Sequence, residues 1–381
     1  MKIKLNINKI LFYISYTMLL FSTMFKQVKG IEQLSNIMIT IAMIILLICT
    51  LYNLQKIKKR DLLIIYIAFG LSFITKIITK NNMIIILLLL IFSLKNIKFN
   101  DLLKYDIKIK ILFLLIVVAL YFGGFTNVNI HYRNGVMRHS MGFSNPNSFS
   151  TYIMSIVIEI MYLRNKKIGL IDLIYVILSI YIINYYASSR TQILCLIAFY
   201  LLFVLNKKNV KLIVKNKFLN LILNNMFWIL TFVSILLIIL YQQGNPTVIK
   251  LNTLLSKRIA TSLAIFDNYD VNLFGNKLYL VTSMQSKLYN VKAVALDNAY
   301  IYLLLSYGIV QYFVIGLFIK KYMKYLTNNE NNILKFILLV YLISGLMERF
   351  FMEYQYNIFL LYFAYLFYSK NRVKSKDDIN E

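Results

Sequence analysis

Residues 37 to 52 read IMITIAMIILLICTLY and residues 227 to 241 read FWILTFVSILLIILY, two runs without a charged side chain. A helix needs about 20 largely apolar residues to cross roughly 30 Å of hydrocarbon, and blocks of this kind recur through the 381 residues. They predict an all-α, polytopic membrane protein with about 12 transmembrane helices and a large extracytoplasmic loop between helices 9 and 10. The expected spans are 9–25, 35–52, 61–76, 82–94, 109–125, 147–164, 168–187, 190–206, 219–241, 298–319, 333–348 and 355–370. The fourth holds only about 13 apolar residues, a length that also suits a re-entrant segment.

Composition agrees with that reading. Hydrophobic residues make up 60% of the chain and charged residues 15%, against about 25% charged in soluble domains. Cys49 and Cys195 both lie inside apolar blocks, where a thiol acts as a small hydrophobe; no disulfide framework or metal set follows. The first block, Ile10 to Phe25, trails Lys2, Lys4 and Lys9 as a signal peptide would, but no small-residue cleavage site follows it, so it counts as helix 1.

A net charge of +27 raises the question of nucleic acid, yet the basic residues fall in short clusters between apolar blocks and leave no soluble module to carry one. Nucleic acid is not an expected partner. Loops on one side of the layout carry 27 of the 42 Lys and Arg, with the third loop counted through Lys110. The positive-inside rule then places both termini in the cytoplasm of a multi-pass protein of the cell membrane.

Two connections on the opposite side are long: 125–148, FTNVNIHYRNGVMRHSMGFSNPNS, and 242–297. Otherwise 1–381 reads as a single polytopic domain. In the second segment Leu251, Leu254, Leu255, Ile259, Leu263 and Phe266 recur at helical spacing. They predict one amphipathic helix along the membrane surface, with Lys257 and Arg258 near the lipid headgroups.

The chemistry-bearing residues gather on this same side. His131, Arg133, Arg138 and His139 crowd together ahead of the turn Gly142 to Asn147. Arginine forks bind phosphate oxygens and histidine exchanges protons near neutral pH; the plainer reading is a loop whose arginines meet headgroups. Asn145 and Asn147 suit the capping of helix 6 and also a side-chain amide bonded to a sugar hydroxyl. Arg190, in the short turn Ala187 to Thr191, suits snorkelling at a helix end or a phosphate, and Arg258 has the same two readings. Asp297 and Asn298 precede helix 10, where Asp297 suits either the helix dipole or a catalytic base. Glu159, the deepest carboxylate, is expected to be paired; Asp172 is a further carboxylate in helix 7, and Glu348-Arg349 borders the candidate site. Walker, Rossmann, metal-ligand and serine-hydrolase motifs are absent. No cofactor or metal is expected.

Taken in order, Gly142-Phe-Ser-Asn-Pro-Asn147, Ser189-Arg190, Ser256-Lys-Arg258 leading to Leu273-Phe-Gly275, and Leu296-Asp-Asn-Ala-Tyr300 with Gly308 resemble the O-antigen polymerase family. These are the Wzy-type membrane polymerases of capsule and exopolysaccharide pathways. The resemblance spans about residues 130 to 310 and departs after Phe274, where one glycine is followed by Asn276-Lys277. It implies a glycosyltransferase that joins oligosaccharide repeat units carried on undecaprenyl diphosphate at the extracytoplasmic face. It also implies other polysaccharide-assembly membrane proteins as partners beside the lipid substrate. On this resemblance Arg190 and Arg258 would hold the diphosphate with Arg133 or Arg138 assisting, and Asn145, Asn147, Asn298 and Tyr300 would contact substrate. His139 or Asp297 would be the acceptor's base. A ligase of the same superfamily would look alike. From another class, a lipid-linked oligosaccharide flippase or other secondary transporter also has about a dozen helices, although such proteins more often show paired repeats and helices broken near the midplane.

The side assignment has a direct test. Single cysteines placed at Gly135 and Lys208 should react with an impermeant thiol reagent in intact cells only at position 135; labelling at both, or only at 208, refutes the layout.

Overall fold

The computed structural model describes residues 7–55, 57, 59–95, 97–127, 130–133, 135–167, 169–207, 216–281 and 295–368. The loop 208–215, the tail beyond 368 and part of the second long segment, 282–294, lie outside the described residues, and with them several of the basic residues counted above.

Helices dominate: α1 Ile7–Met24, α2 Glu32–Leu54, α3 Lys59–Thr79, α4 Met83–Ser93, α5 Phe99–Phe122, α6 Pro146–Leu163, α7 Leu170–Ile182, α8 Arg190–Lys207, α9 Lys217–Asn224, α10 Met226–Gln242, α11 Pro246–Leu254, α12 Arg258–Phe266, α13 Ala299–Asn328, α14 Asn332–Ser344 and the short α15 Tyr365–Tyr368. A π-helical turn, Ile183–Ala187, extends α7, and a 3₁₀ helix, Ile358–Ala364, precedes α15. The one sheet among the described residues is the hairpin β1 Ile130–Arg133 with β2 Val136–His139.

Helices cover all the predicted apolar segments, but their lengths differ from a row of uniform spans. Among the described residues four stretches are long and apolar enough to cross a membrane: Glu32–Leu54, Asp61–Thr79, Leu170–Ala187 and Ala299–Asn328. A fifth arises if Lys217–Asn224 and Met226–Gln242, bent by 61°, act together. The shortfall from about 12 has physical causes. Helix α4 has 11 residues and so rises only about 16 Å; its side chains from Ile86 to Ser93 are all buried, which makes it an internal half-helix. Helix α5 begins at Phe99, earlier than the apolar run alone suggests, and carries Asp101, Lys104, Asp106, Lys108 and Lys110 in its first half.

Lys110 is therefore no loop cation, as the charge count had it. It is fully buried, its ammonium 2.7 Å from Asp106 on the preceding turn and 2.7 Å from Glu159 on α6. Tyr16 of α1 donates to the other oxygen of Asp106 at 2.9 Å. This cluster pins α1, α5 and α6 together, because removing either sign would strand an uncompensated charge. Asp172 instead accepts from the Arg164 guanidinium at 2.8 Å and from the Gly169 amide at 2.9 Å, closing the turn before α7.

The main core joins residues such as Phe12, Leu46, Phe92, Met154, Phe199, Tyr300 and Phe359 from helices along the whole chain. Outward faces are apolar as well. Ile37, Ile44 and Ile48 on α2, Leu63 and Ile67 on α3, and Ile174, Ile177 and Tyr181 on α7 are all exposed. Such stripes are stable against hydrocarbon and are rarely left to water.

The predicted single surface helix is broken. Ser256 and Lys257 take left-handed backbone angles (φ 56° and 64°), which end α11 and start α12 at Arg258. The side chain of Asn252 reaches over the break and accepts from the amides of Ile259 and Ala260, both at 3.1 Å. Further on, Gly308 (φ 77°, ψ 170°) interrupts α13, and residues 272–276 fill the gap. Ile309 donates to Asn272, Val310 to Leu273, and Asn276 to Leu305, at 3.0, 3.2 and 2.9 Å. The two glycine-bearing motifs quoted from the sequence thus meet backbone to backbone.

A Cβ on Gly308 would lie 2.3 Å from the Gly275 amide, whereas one on Gly124, with nearly the same φ of 78°, would meet nothing within 4 Å. Gly124→Ala should therefore cost about 1 kcal/mol of conformational strain, and Gly308→Ala more than about 3 kcal/mol. Thermal unfolding in detergent should rank them so, and equal melting shifts would show that the loop is not spliced into α13.

Candidate functional site

Residues distant in sequence converge beside the first turns of α6, α8, α12 and α13. In the hairpin, Ile130 pairs with His139, His131 with Arg138 and Arg133 with Val136. Directly paired residues share a face and successive residues alternate, so Arg133 and Arg138 project together while His139 points the other way. There its Nδ1 lies 3.0 Å from the hydroxyl of Tyr121 on α5.

Arg138 is drawn onto the end of the π turn: its Nε donates to the Ala187 carbonyl at 2.5 Å. Its Nη2 donates to Asn147 Oδ1 at 2.6 Å and to Ser189 Oγ at 3.2 Å. Arg133 donates to the Ser188 carbonyl at 3.2 Å. Asn147 passes the connection on, its Nδ2 donating to Glu348 Oε1 at 2.9 Å. That same oxygen accepts from Arg258 Nη2 at 2.7 Å. Arg258 also donates to the Met347 carbonyl and lies 3.3 Å from Asp297 Oδ2 through its Nε. Arg190, exposed on the first turn of α8, is close enough to weigh on Arg133.

The break at Ser256-Lys257 explains the orientation of Arg258. A continuous surface helix would hold it toward lipid headgroups; instead its side chain is 13% exposed and turned onto Glu348 and Asp297, while Lys257 stays exposed.

The other residues named from sequence have local duties. Asn145 caps α6, accepting from the Ser148 amide at 2.8 Å ahead of Pro146. Asn298 caps α13 by accepting from the amides of Tyr300 and Ile301 and donates to Ser234 at 3.0 Å. With that cap filled by Asn298, Asp297 is free to face Arg258. Tyr300 is fully buried, its hydroxyl bonded to the Leu342 carbonyl at 2.7 Å, away from the arginines. Glu348, expected only to border the site as part of a charged pair at the end of an apolar block, is the carboxylate at its centre, and Ser189, quoted in a motif without a role, bonds Asn147 and Arg138.

Charge in the cluster is unbalanced. Among the described residues, Arg133, Arg138, Arg190 and Arg258 gather about two carboxylates, Asp297 and Glu348, so guanidinium groups outnumber acids. The imbalance leaves a physical trace. Burial, then the neighbouring Arg190 and Arg258, lower Arg133 from the usual guanidinium range. Burial and then Arg133 bring Arg138 down to about 10, with Glu348 acting the other way. Burial also lowers Arg258, but Glu348 and Asp297 more than offset it and leave it raised. Burial pushes Glu348 up to about 7, against the pull of Arg258. An arrangement of this kind can bind a dianion and hold a proton acceptor near neutrality.

A cavity of about 160 Å³ opens against Arg258, lined chiefly by apolar side chains such as Leu237, Ile238, Leu255 and Met347, with Asn298 and Ser234 also in its wall. Among the described residues no cluster of His, Cys, Asp and Glu has the makings of a metal site. No family model, curated protein or solved structure matches the chain.

Because Glu348 holds its proton more tightly folded than unfolded, its stabilising contribution is complete below about pH 4.5 and is lost as pH rises through about 7. Relative to Glu348→Gln, the protein should lose about 3 kcal/mol of stability between pH 4.5 and 8. Melting curves across that range test this, and parallel curves for the two proteins would refute it.

Proposed function

We propose that this chain is a polytopic plasma-membrane glycosyltransferase that polymerises oligosaccharide repeat units carried on undecaprenyl diphosphate, with chemistry on the extracytoplasmic face and both termini inside. Its short and broken helices would complete about a dozen traversals alongside the long ones. The observation that carries the reading is the convergence of Arg133, Arg138, Arg190 and Arg258 about two carboxylates among the described residues. A diphosphate diester carries two negative charges, which would offset that cationic excess.

Glycosyl transfer from such a lipid asks for charge neutralisation on the departing diphosphate and a group to take the acceptor's proton. Arg190 and Arg258 hold the diphosphate, Arg133 and Arg138 assist, and the apolar cavity beside Arg258 receives the start of the lipid chain. Four helix N-termini add their dipoles to the same patch. With arginines supplying the charge, the scheme requires no metal. The ordered motifs that resemble those of O-antigen polymerases support the assignment, since the residues they contribute, from Asn147 through Arg258 to Asp297, meet in one cluster. On this reading the chain would act in capsule or exopolysaccharide assembly, with other assembly proteins as partners. An O-antigen ligase-like transferase would use the same site with a different acceptor.

One observation favours a different class. The buried Asp106–Lys110–Glu159 cluster and the interrupted α13 are features that transporters use to couple ions to movement, so a lipid-linked oligosaccharide flippase is the second reading.

Deleting the protein, or making Arg258→Ala, separates the two. Polymerisation should fall about 100-fold, as when one charge-stabilising donor is lost, while single lipid-linked units still reach the outer face. Units confined to the inner leaflet would establish a flippase instead.

A further inference from the structure

We propose that Glu348 is the proton acceptor of the transfer reaction, an assignment that rests on the glycosyl-transfer reading above. Neither histidine nor aspartate named from sequence has the geometry that Glu348 has. His139 lies on the opposite face of the hairpin and is engaged with Tyr121. Asp297 is inside the cluster, but its side chain is 35% exposed and its contact there is with Arg258 at 3.3 Å. Water competes for its oxygens, and its service is to keep Arg258 charged and in place.

Glu348 is buried, 7% exposed, and held at one oxygen only. Oε1 accepts from both Arg258 Nη2 (2.7 Å) and Asn147 Nδ2 (2.9 Å). Asn147 cannot be turned over without loss, because its Oδ1 accepts from Arg138 and Ser189. Oε2 accepts no hydrogen bond among the described residues, so one lone-pair edge of a fixed carboxylate is left open beside the arginines. A base needs this combination of a rigid mount and a free edge within hydrogen-bond reach of the incoming hydroxyl.

The surroundings suit the task. Arg258 and Asp297 face Glu348 from the second long segment, Arg133 and Arg138 from the hairpin, and Arg349 is its neighbour in sequence. Cys195 on α8 and Tyr356 also lie near enough to feel its charge. Burial outweighs the arginines and leaves Glu348 near 7, where a base is both ionised and basic. Two carboxylates flank Arg258 in different settings, one wet and one dry, and such pairs divide their roles. A dianionic diphosphate that engages Arg258 weakens that guanidinium's hold on Glu348 and raises its basicity further.

In the step itself, the acceptor hydroxyl gives its proton to Glu348 Oε2 as its oxygen bonds to the anomeric carbon of the lipid-linked chain. The bond from that carbon to the diphosphate oxygen breaks, and the electron pair leaves with the diphosphate, neutralised by the arginines. The proton then passes from Glu348 to water.

The test uses the full-length protein in nanodiscs, with lipid-linked repeat units extracted from cells lacking it, and with undecaprenyl diphosphate as the binding probe. Glu348→Gln should lower the transfer rate at least 100-fold while affinity for undecaprenyl diphosphate stays within about threefold. The wild-type rate should rise with pH through a limb near 7 that is missing from the residual activity of Glu348→Gln and displaced in Glu348→Asp. Asp297→Asn and His139→Gln should keep the limb whatever their rates. If Glu348→Gln transfers within tenfold of wild type, loses undecaprenyl diphosphate binding along with activity, or keeps the limb, the assignment is overturned while the polymerase reading stands. Wild-type protein that binds undecaprenyl diphosphate yet transfers no sugar overturns the reading itself, and the base with it.

Discussion

A charged side chain or an unpaired peptide group inside this helix bundle has no water to turn to, and two irregular features of the molecule meet that need internally. Lys110 illustrates the closed solution. It has a carboxylate on each side and a tyrosine beyond one of them, all fully buried. The interrupted α13 shows the same rule for backbone. Gly308 frees carbonyls and amides in the middle of a helix, and the loop 272–276 supplies its own peptide groups in their place. Only glycine at 275 and 308 permits that approach, since a Cβ at either would sit within 2.3 Å of a main-chain atom.

The arginine cluster is the open counterpart. Its members are tied to carbonyls of the 187–189 turn, to Asn147 and to two carboxylates, yet the charges do not cancel. Stability alone would favour either fewer arginines or more acids at such a place. A net cationic site kept half-buried is a standing cost that an anion would offset. Lys110, by contrast, is fully buried between two carboxylates.

Much of the helical layout was legible because apolar blocks announce themselves regardless of tertiary context, and the Asn145-Pro146 entry to α6 carries its own local chemistry. What escaped sequence reading depended on long-range partners. Lys110 looked like a loop cation because nothing near it in sequence reveals that Glu159 waits on the next helix. Arg258 looked like a headgroup contact because its spacing fits a continuous amphipathic helix; the break at Ser256-Lys257 uses residues with no special preference for positive φ and so leaves no signature. The cap of α13 went to Asn298 rather than its neighbour Asp297, and only that choice releases Asp297 toward Arg258. Glu348, four residues beyond α14, becomes central only when hairpin, α6 and the second long segment close around it.

That closure also explains how a long connection can be fixed at the site. The segment carrying Arg258 is fastened twice: at its start by Asn252 and the Glu348 pair, and further along by the splice of residues 272–276 into α13. Asp297 then enters α13 just ahead of its Asn298 cap, and Ala299 donates to the carbonyl of Gly345, three residues before Glu348. The two carboxylates flanking Arg258 are thereby set by the same helix junction. A shift of α13 against α14 would change the distance between them, so the spacing between acid, arginine and acid is set by the packing of the bundle and not by the loop alone. On the proposed reading, a charged leaving group and a base held in fixed register gain from being mounted in this way.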